Sequence, residues 1–112
     1  MPHRPVPDGS PLALDRVIHG PLRLGIVAAL ATAGRRTFTE LRDALGATDG
    51  NLNASLQKLE QAGYVAAAKN TEGRVVTEYQ LTRAGQKALA GYLALLERIV
   101  GPIRDITPIG QP

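Results

Sequence analysis

The sequence predicts one mainly helical domain (α+β) with the element order α-α-α-α-β-β-α. Three observations predict it. Apolar residues recur at helical spacing in several separate stretches. The stretch from Val75 to Leu81 alternates apolar and polar side chains. Glycine or proline stands at most of the boundaries between these segments.

Each element follows from its residues. Leu12 to Ile18 reads as a short first helix, closed by Gly20-Pro21. Pro21 suits the first turn of the next helix, where its missing N–H costs nothing. That helix runs to about Ala33, with Leu22, Ile26, Val27 and Leu30 on one stripe and Gly34 past its end. Thr39 is placed as the N-cap of a third, short helix reaching Leu45, in which Leu41 and Leu45 stand at i, i+4. Gly46-Ala47-Thr48 makes a tight turn. A fourth helix starts at Thr48 or Asp49 and ends at Gly63, a residue suited to a C-terminal cap. Tyr64 to Lys69 has strand character and Asn70 to Gly73 is a turn. Val75, Thr77, Tyr79 and Leu81 then alternate with Val76, Glu78 and Gln80 as in a half-buried strand. Thr82 caps a last helix over Arg83 to Val100. The domain is expected to span residues 12–100. Residues 1–11 and 101–112 are rich in Pro and Gly and show no sustained period, so both are expected to be tails.

Composition bounds the function. The chain has 112 residues, which is room for one domain. It has no cysteine, which excludes disulfides, thiolate metal sites and cysteine nucleophiles. Such a chain can fold in a reducing compartment, so a cytoplasmic location is expected. No apolar run reaches the length of a bilayer span, and Met1 to Pro11 has no secretory h-region, so no membrane partner is expected. Thirteen Lys or Arg against ten Asp or Glu leave a net charge of +3, which permits a polyanionic partner without demanding one. Arg greatly outnumbers Lys, which favours planar, bidentate recognition of phosphate or guanine. Aromatic content is only 4% (Phe38, Tyr64, Tyr79 and Tyr92), too little for a platform that stacks bases or flavins. No Ser–His–Asp spacing, phosphate loop, metal cluster or carboxylate pair stands out, so neither an enzyme nor a bound cofactor is expected.

A short helix, a tight turn, a second helix and a two-stranded hairpin together describe a winged helix-turn-helix. The second helix of that pair needs one apolar face, and Leu52, Leu56 and Leu59 supply it. At about 100° per residue the opposite face holds Gly50, Asn53, Ala54, Gln57, Lys58 and Gln61, all small or hydrogen-bonding. A face free of bulky apolar groups can enter a major groove about 12 Å wide. Asn53 and Gln57 can pair bidentately with adenine, and Lys58 can reach a guanine edge or a phosphate. Taken alone, such a polar helix face is more often simply solvated. Gly50 argues for the groove, because glycine costs about 1 kcal/mol in a helix and lets a phosphate backbone approach the helix start. Thr48, Asp49 and Asn51 complete the candidate recognition segment. On the hairpin, Lys69, Asn70 and Arg74 flank the tip as a wing would, with Arg74 aimed at a minor groove or a phosphate. Lys and Arg there also suit a plain charged hairpin edge, and Glu72 opposes close approach to phosphate. Arg35, Arg36, Thr37 and Thr39 are further candidate phosphate contacts; a solvated loop and helix capping are the competing explanations.

Leu14 to Leu24 (LDRVIHGPLRL), Phe38 to Arg42 (FTELR), Thr48 to Leu52 (TDGNL) and Leu56 to Val65 (LQKLEQAGYV) form a recognisable set. Together they resemble short bacterial and archaeal winged-helix regulators, similar to the DNA-binding part of the MarR and ArsR families. The segment Tyr79-Gln80-Leu81-Thr82-Arg83-Ala84-Gly85 is similar to the Y-x-L-T-x-x-G ending of their wing-to-helix junction. The resemblance covers about residues 14–98. It implies a dimeric transcriptional regulator, usually a repressor, on a pseudo-palindromic operator. The chain also departs from these families. Ala54 and Ser55 stand where relatives often carry Arg or His, so the groove face is less cationic. Little chain remains for the ligand cleft of longer MarR proteins, and no effector is assigned. Only His3 and His19 are available as imidazole ligands. Asp15 and His19, at i, i+4, could share a metal, although such a pair is more often a surface contact.

The last helix carries a wide apolar stripe: Leu89, Leu93, Leu96 and Val100, widened by Tyr92, Leu95 and Ile99. With Leu12, Leu14, Val17 and Ile18 it is expected to form a homodimer core, since a wide unshared stripe would face water. Two-fold symmetry then sets two recognition helices about 34 Å apart. Double-stranded DNA and a second copy of the chain are therefore the expected partners. The rival function is a winged helix that binds protein as a module or complex subunit. A steep fall of duplex affinity with salt separates the two.

Overall fold

The computed structural model describes residues 14–103. The expected N-terminal tail, most of the C-terminal one, Leu12 and His3 lie outside them. Four helices and a three-stranded antiparallel sheet form a winged helix: α1 (Pro21–Ala33), β1 (Arg36–Thr37), α2 (Phe38–Leu45), α3 (Asp49–Gln61), β2 (Val65–Asn70), β3 (Val76–Leu81) and α4 (Arg83–Val100). A 3-10 turn, Gly101–Ile103, continues α4 into the first residues of the expected tail.

Leu14 to Ile18 is not helical. The segment bends and makes one turn. The Asp15 carboxylate accepts from the backbone N–H of Val17 (2.8 Å) and of Ile18 (3.1 Å), so a side chain takes the place of the helical ladder. A single helix-like bond, from His19 N–H to the Asp15 carbonyl (2.8 Å), closes the turn. Gly20 is then extended (φ −158°), which starts α1 at Pro21.

On α1, Ile26, Val27 and Leu30 are buried, and Leu22 packs against them from the rim. α2 is capped by Thr37, two residues before the expected Thr39. The Thr37 hydroxyl accepts from Glu40 N–H (3.1 Å), and the Glu40 carboxylate accepts from Thr37 N–H (2.8 Å). This reciprocal capping box satisfies two donors at once, which a Thr39 cap would not. α3 is capped by the Thr48 hydroxyl, which accepts from Asn51 N–H (3.1 Å). It ends in a Schellman motif: Tyr64 N–H reaches the Leu59 carbonyl and Gly63 N–H the Glu60 carbonyl (2.9 Å each), with Gly63 at φ +80°. Leu52, Leu56 and Leu59 anchor α3 on the core of α1, Leu41 and Val65.

The sheet order is β1-β3-β2. β2 and β3 pair from Val65↔Leu81 to Asn70↔Val76. Val75 therefore falls in the connecting loop and is 63% exposed, not on the buried side of the strand as its alternation implies. β1 has no counterpart in the expected order. Its two residues pair with Tyr79 and Glu78, some forty positions away. The end of α3 is sewn to the start of α4. The Thr82 hydroxyl donates to the Gly63 carbonyl (2.6 Å), and Thr82 N–H donates to the Tyr64 carbonyl (3.0 Å).

The Asp15 turn is tied to both halves of the molecule. Tyr64 donates its phenol to Asp15 Oδ2 (2.6 Å), and the neighbouring His19 Nδ1 bonds the Tyr92 hydroxyl of α4 (2.9 Å). The Asp15 hydrogen bond, and then burial, push the Tyr64 phenol up to about 12. A raised phenol favours the protonated folded state. Its contribution to stability is complete below the unfolded value of about 10 and is lost as pH rises from there through about 12. A spectrophotometric titration is expected to show a tyrosine ionising near pH 12, and Asp15→Asn to bring that step down. An unchanged step in Asp15→Asn would assign it to another tyrosine.

Candidate nucleic-acid interface

Among the described residues nothing covers one face of α3. Gly50, Asn53, Ala54, Gln57, Lys58 and Gln61 are all exposed, and so are Thr48, Asp49 and Asn51 at its start. The leucines at the opposite pole hold it on the domain, so the helix projects its polar side outward. Gly50 is not required by the fold. A Cβ there would meet nothing within 4 Å, and its φ is not positive. Ser55 departs from the expected arrangement. It is only 8% exposed and turns toward α1, so it leaves the groove face.

The wing stands beside this helix. Lys69 and Arg74 are exposed and have no ion-pair partner among the described residues. Asn70 is half-buried. Its side-chain oxygen accepts from Glu72 N–H (3.0 Å), so its first role is to shape the tip. Arg74 borders a cleft of about 560 Å³ with Thr37, Phe38, Thr39, Thr77 and Tyr79. Two of the expected phosphate contacts, Thr37 and Thr39, thus meet the wing arginine in one place. Burial, followed by the charge of Glu60, raises the Tyr79 phenol, which stays a neutral hydrogen-bonding group at the edge of this cleft. Arg35 is engaged elsewhere: its Nε donates to Gln80 Oε1 (2.8 Å), with Glu78 at 4.0 Å. Arg36 lies in β1 and donates to the Arg35 carbonyl (2.6 Å).

Sequence reading missed Arg42. From α2 it donates to Asp49 at the first position of α3 (3.0 Å) and to its neighbour Asp43 (3.2 Å). These two hydrogen bonds, Asp49 first, raise the guanidinium further above its ordinary value. The pair neutralises an acid at the N-terminal end of α3. No spacing rule marks it, because the α2–α3 turn decides which residues meet. The Asp15–His19 pair is occupied by its tyrosine and backbone partners. Among the described residues no group of three or more His, Cys, Asp or Glu could hold a metal ion, and no helix is long and apolar enough to cross a membrane.

Fold and surface together define a winged-helix DNA-binding protein of the kind found in transcriptional regulators. Residues 22–100 match the family model described as winged helix DNA-binding domain, and the chain belongs to that family. It is 34% identical over 79 residues to the uncharacterized protein MJ0432 of Methanocaldococcus jannaschii, covering 70% of this chain and 86% of that protein. It is also similar to a transcriptional regulator homologue from Pyrococcus horikoshii, with a TM-score of 0.75, 26% identity, and coverage of 80% of this chain and 89% of that one. A protein from Enterococcus faecalis ascribed to the MarR family of transcriptional regulators aligns with a TM-score of 0.66 at 29% identity, over 79% of each chain.

Proposed function

We propose that this chain is a homodimeric repressor of transcription in the cytoplasm, reading a pseudo-palindromic operator through α3 and gripping its backbone through the wing. The observation that carries the reading is the exposed, hydrogen-bonding face of α3, free of bulky apolar side chains from Gly50 to Gln61. Gly50 adds to it, since the helix bears an intrinsic cost of about 1 kcal/mol at a position where the fold would accept Ala. Selection of bound duplexes from a random pool tests the proposal. A two-fold symmetric motif with half-sites one helical turn apart is the expected product; a pool that stays random after selection contradicts it.

Asn53→Ala and Gln57→Ala are each expected to relax base preference, costing about 1–3 kcal/mol on the selected site where the contact is bidentate. Arg74→Ala is expected to weaken all duplexes alike and to lower the salt slope by about one. Fluorescence anisotropy on matched and mismatched duplexes at several salt concentrations separates the two. If Arg74→Ala has no effect while Glu40→Ala does, the docking orientation is wrong.

The dimer surface is narrower than the expected set of residues. Ile18 (0% exposed) and Tyr92 (5%) are packed inside their own chain and offer no surface to another. Val17 and Leu89 lean on the same core, and Leu14 is half-buried. Leu93 (50%), Val100 (38%) and Ile103 (54%) remain open, with Leu96 and Ile99 half-buried between them. Leu93, Leu96 and Val100 follow one another on α4 at spacings of three and four, the seam of a helix that pairs with a copy of itself, and Ile103 in the 3-10 turn adds to its end. Leu93→Glu is expected to give a monomer in sedimentation velocity and to weaken operator binding well beyond tenfold. A dimer that survives Leu93→Glu together with Val100→Glu places the contact elsewhere.

A further inference from the structure

Beside the groove face lies a second feature that base reading leaves unexplained. Between the first turn of α1 and the flank of α3 is a cavity of about 360 Å³. α1 contributes Pro21, Leu22 and Arg23; α3 contributes Asn51, Ser55 and Lys58, which recur at i, i+4 and i+7 on one side of the helix. The α1 terminus is bare. Its N-cap is Gly20, no side chain accepts from its first amides, and its first turn holds no acid. α2, α3 and α4 are all capped by threonine side chains, so α1 alone among them keeps its positive end open.

Ser55 supplies an independent observation. The residue is 8% exposed and lines the cavity, yet its hydroxyl has no hydrogen-bond partner among the described residues. The hydroxyl itself is not sealed from solvent, so it is free to bond a group that enters the cavity. Arg23 adds a charge held in place. Its Nε donates to the Val17 carbonyl (2.5 Å) and its Nη2 to the Arg16 carbonyl (3.4 Å). Neutral carbonyls orient the guanidinium without cancelling it. Lys58 brings a second cation with no ion-pair partner among the described residues, and no carboxylate borders the cavity.

We infer that this cavity is a phosphate-binding site, in which the open α1 terminus, the Ser55 hydroxyl, Arg23 and Lys58 hold one phosphate group. Hydrogen-bond donors converge with two cations and a helix N-terminus, the chemistry that suits a multi-oxygen anion. Resting on the reading of α3 as the groove helix, the phosphate is a diester of the same duplex, since the sugar–phosphate backbone runs along the flanks of a helix seated in the groove. Lys58 then grips the backbone and leaves base reading to Asn53 and Gln57.

The test uses the ¹⁵N-labelled full chain. Titration with inorganic phosphate is expected to shift the amides of Leu22, Arg23 and Ser55 along one saturating curve. Ser55→Ala, which stays folded by its spectral dispersion, is expected to weaken that curve about fivefold, and Lys58→Gln to weaken it further. With duplex DNA the same amides move, and Lys58→Gln lowers the salt slope by about one across all sequences. Leu22 and Arg23 amides that ignore phosphate, or respond equally in both variants, overturn the site. Duplex binding with an Asn53-dependent base preference and an unaltered salt slope in Lys58→Gln overturns the diester assignment and leaves the regulator reading standing. Saturable phosphate binding at Leu22, Arg23 and Ser55 with no duplex binding at all supports the site, assigns it to a free phosphate compound, and overturns the regulator reading.

Discussion

Leu52→Ala is expected to lower the stability of the domain by about 2–5 kcal/mol, read as a drop in the urea midpoint at constant slope. Leu52 is fully buried and packs with Ile26, Val27, Leu56 and Leu59 in the core that holds α3 on α1. Removing its side chain takes away transfer energy and leaves a cavity that the surrounding helices close only in part. A small domain has a total stability of about 5–15 kcal/mol, so this one substitution removes a large share of it. The functional signature differs from that of the groove residues. On the proposed function, Leu52→Ala is expected to weaken every duplex in proportion to the unfolded fraction and to the loosened seat of α3. Asn53→Ala, one residue away on the exposed side, is expected to leave the urea midpoint almost unchanged and to alter base preference. A Leu52→Ala variant with the parent midpoint would mean that α3 is held by something other than its leucines.

Gly85→Ala is expected to be the second most damaging change, by about 1–3 kcal/mol or more. In a solvent-exposed helix the same exchange is favourable by about 1 kcal/mol, so the sign depends on space. A Cβ on Gly85 would lie 2.2 Å from the Tyr64 carbonyl oxygen and 2.7 Å from Leu81 Cδ1. The carbonyl has little freedom to retreat, because it accepts from Thr82 N–H at 3.0 Å. The clash therefore pushes α4 away from the α3–β2 junction and strains the bond that starts α4. Gly50→Ala is the matched control. With nothing within 4 Å of its Cβ, it is expected to raise the melting temperature and, on the proposed function, to weaken duplex binding. If Gly85→Ala melts at the parent temperature, α4 is not seated as closely as the geometry requires.

These two substitutions also mark where sequence reading is reliable. The Leu52, Leu56 and Leu59 spacing is a property of one helix, and one helix is enough to see it. The same holds for the caps at Gly63 and Thr82 and for the limits of α1 and α4, since capping involves residues within one turn of each other. Gly85 was visible as part of a family-like ending, but its reason was not. The atoms that exclude a side chain there belong to Tyr64 and Leu81, outside its helix.

The chain's local pattern alone determined four of the helices, the hairpin, the polar face of α3 and hence the winged-helix class, because periodicity and capping act over a few residues. Tertiary structure decided the rest. It turned Leu14–Ile18 into an Asp15-closed turn, paired β1 with β3, withdrew Ile18 and Tyr92 into the core, joined Arg42 to Asp49, and set Ser55 beside the open end of α1. Each of these depends on which groups meet after the helices have packed, and that is a matter of three-dimensional distance that no spacing along the chain encodes.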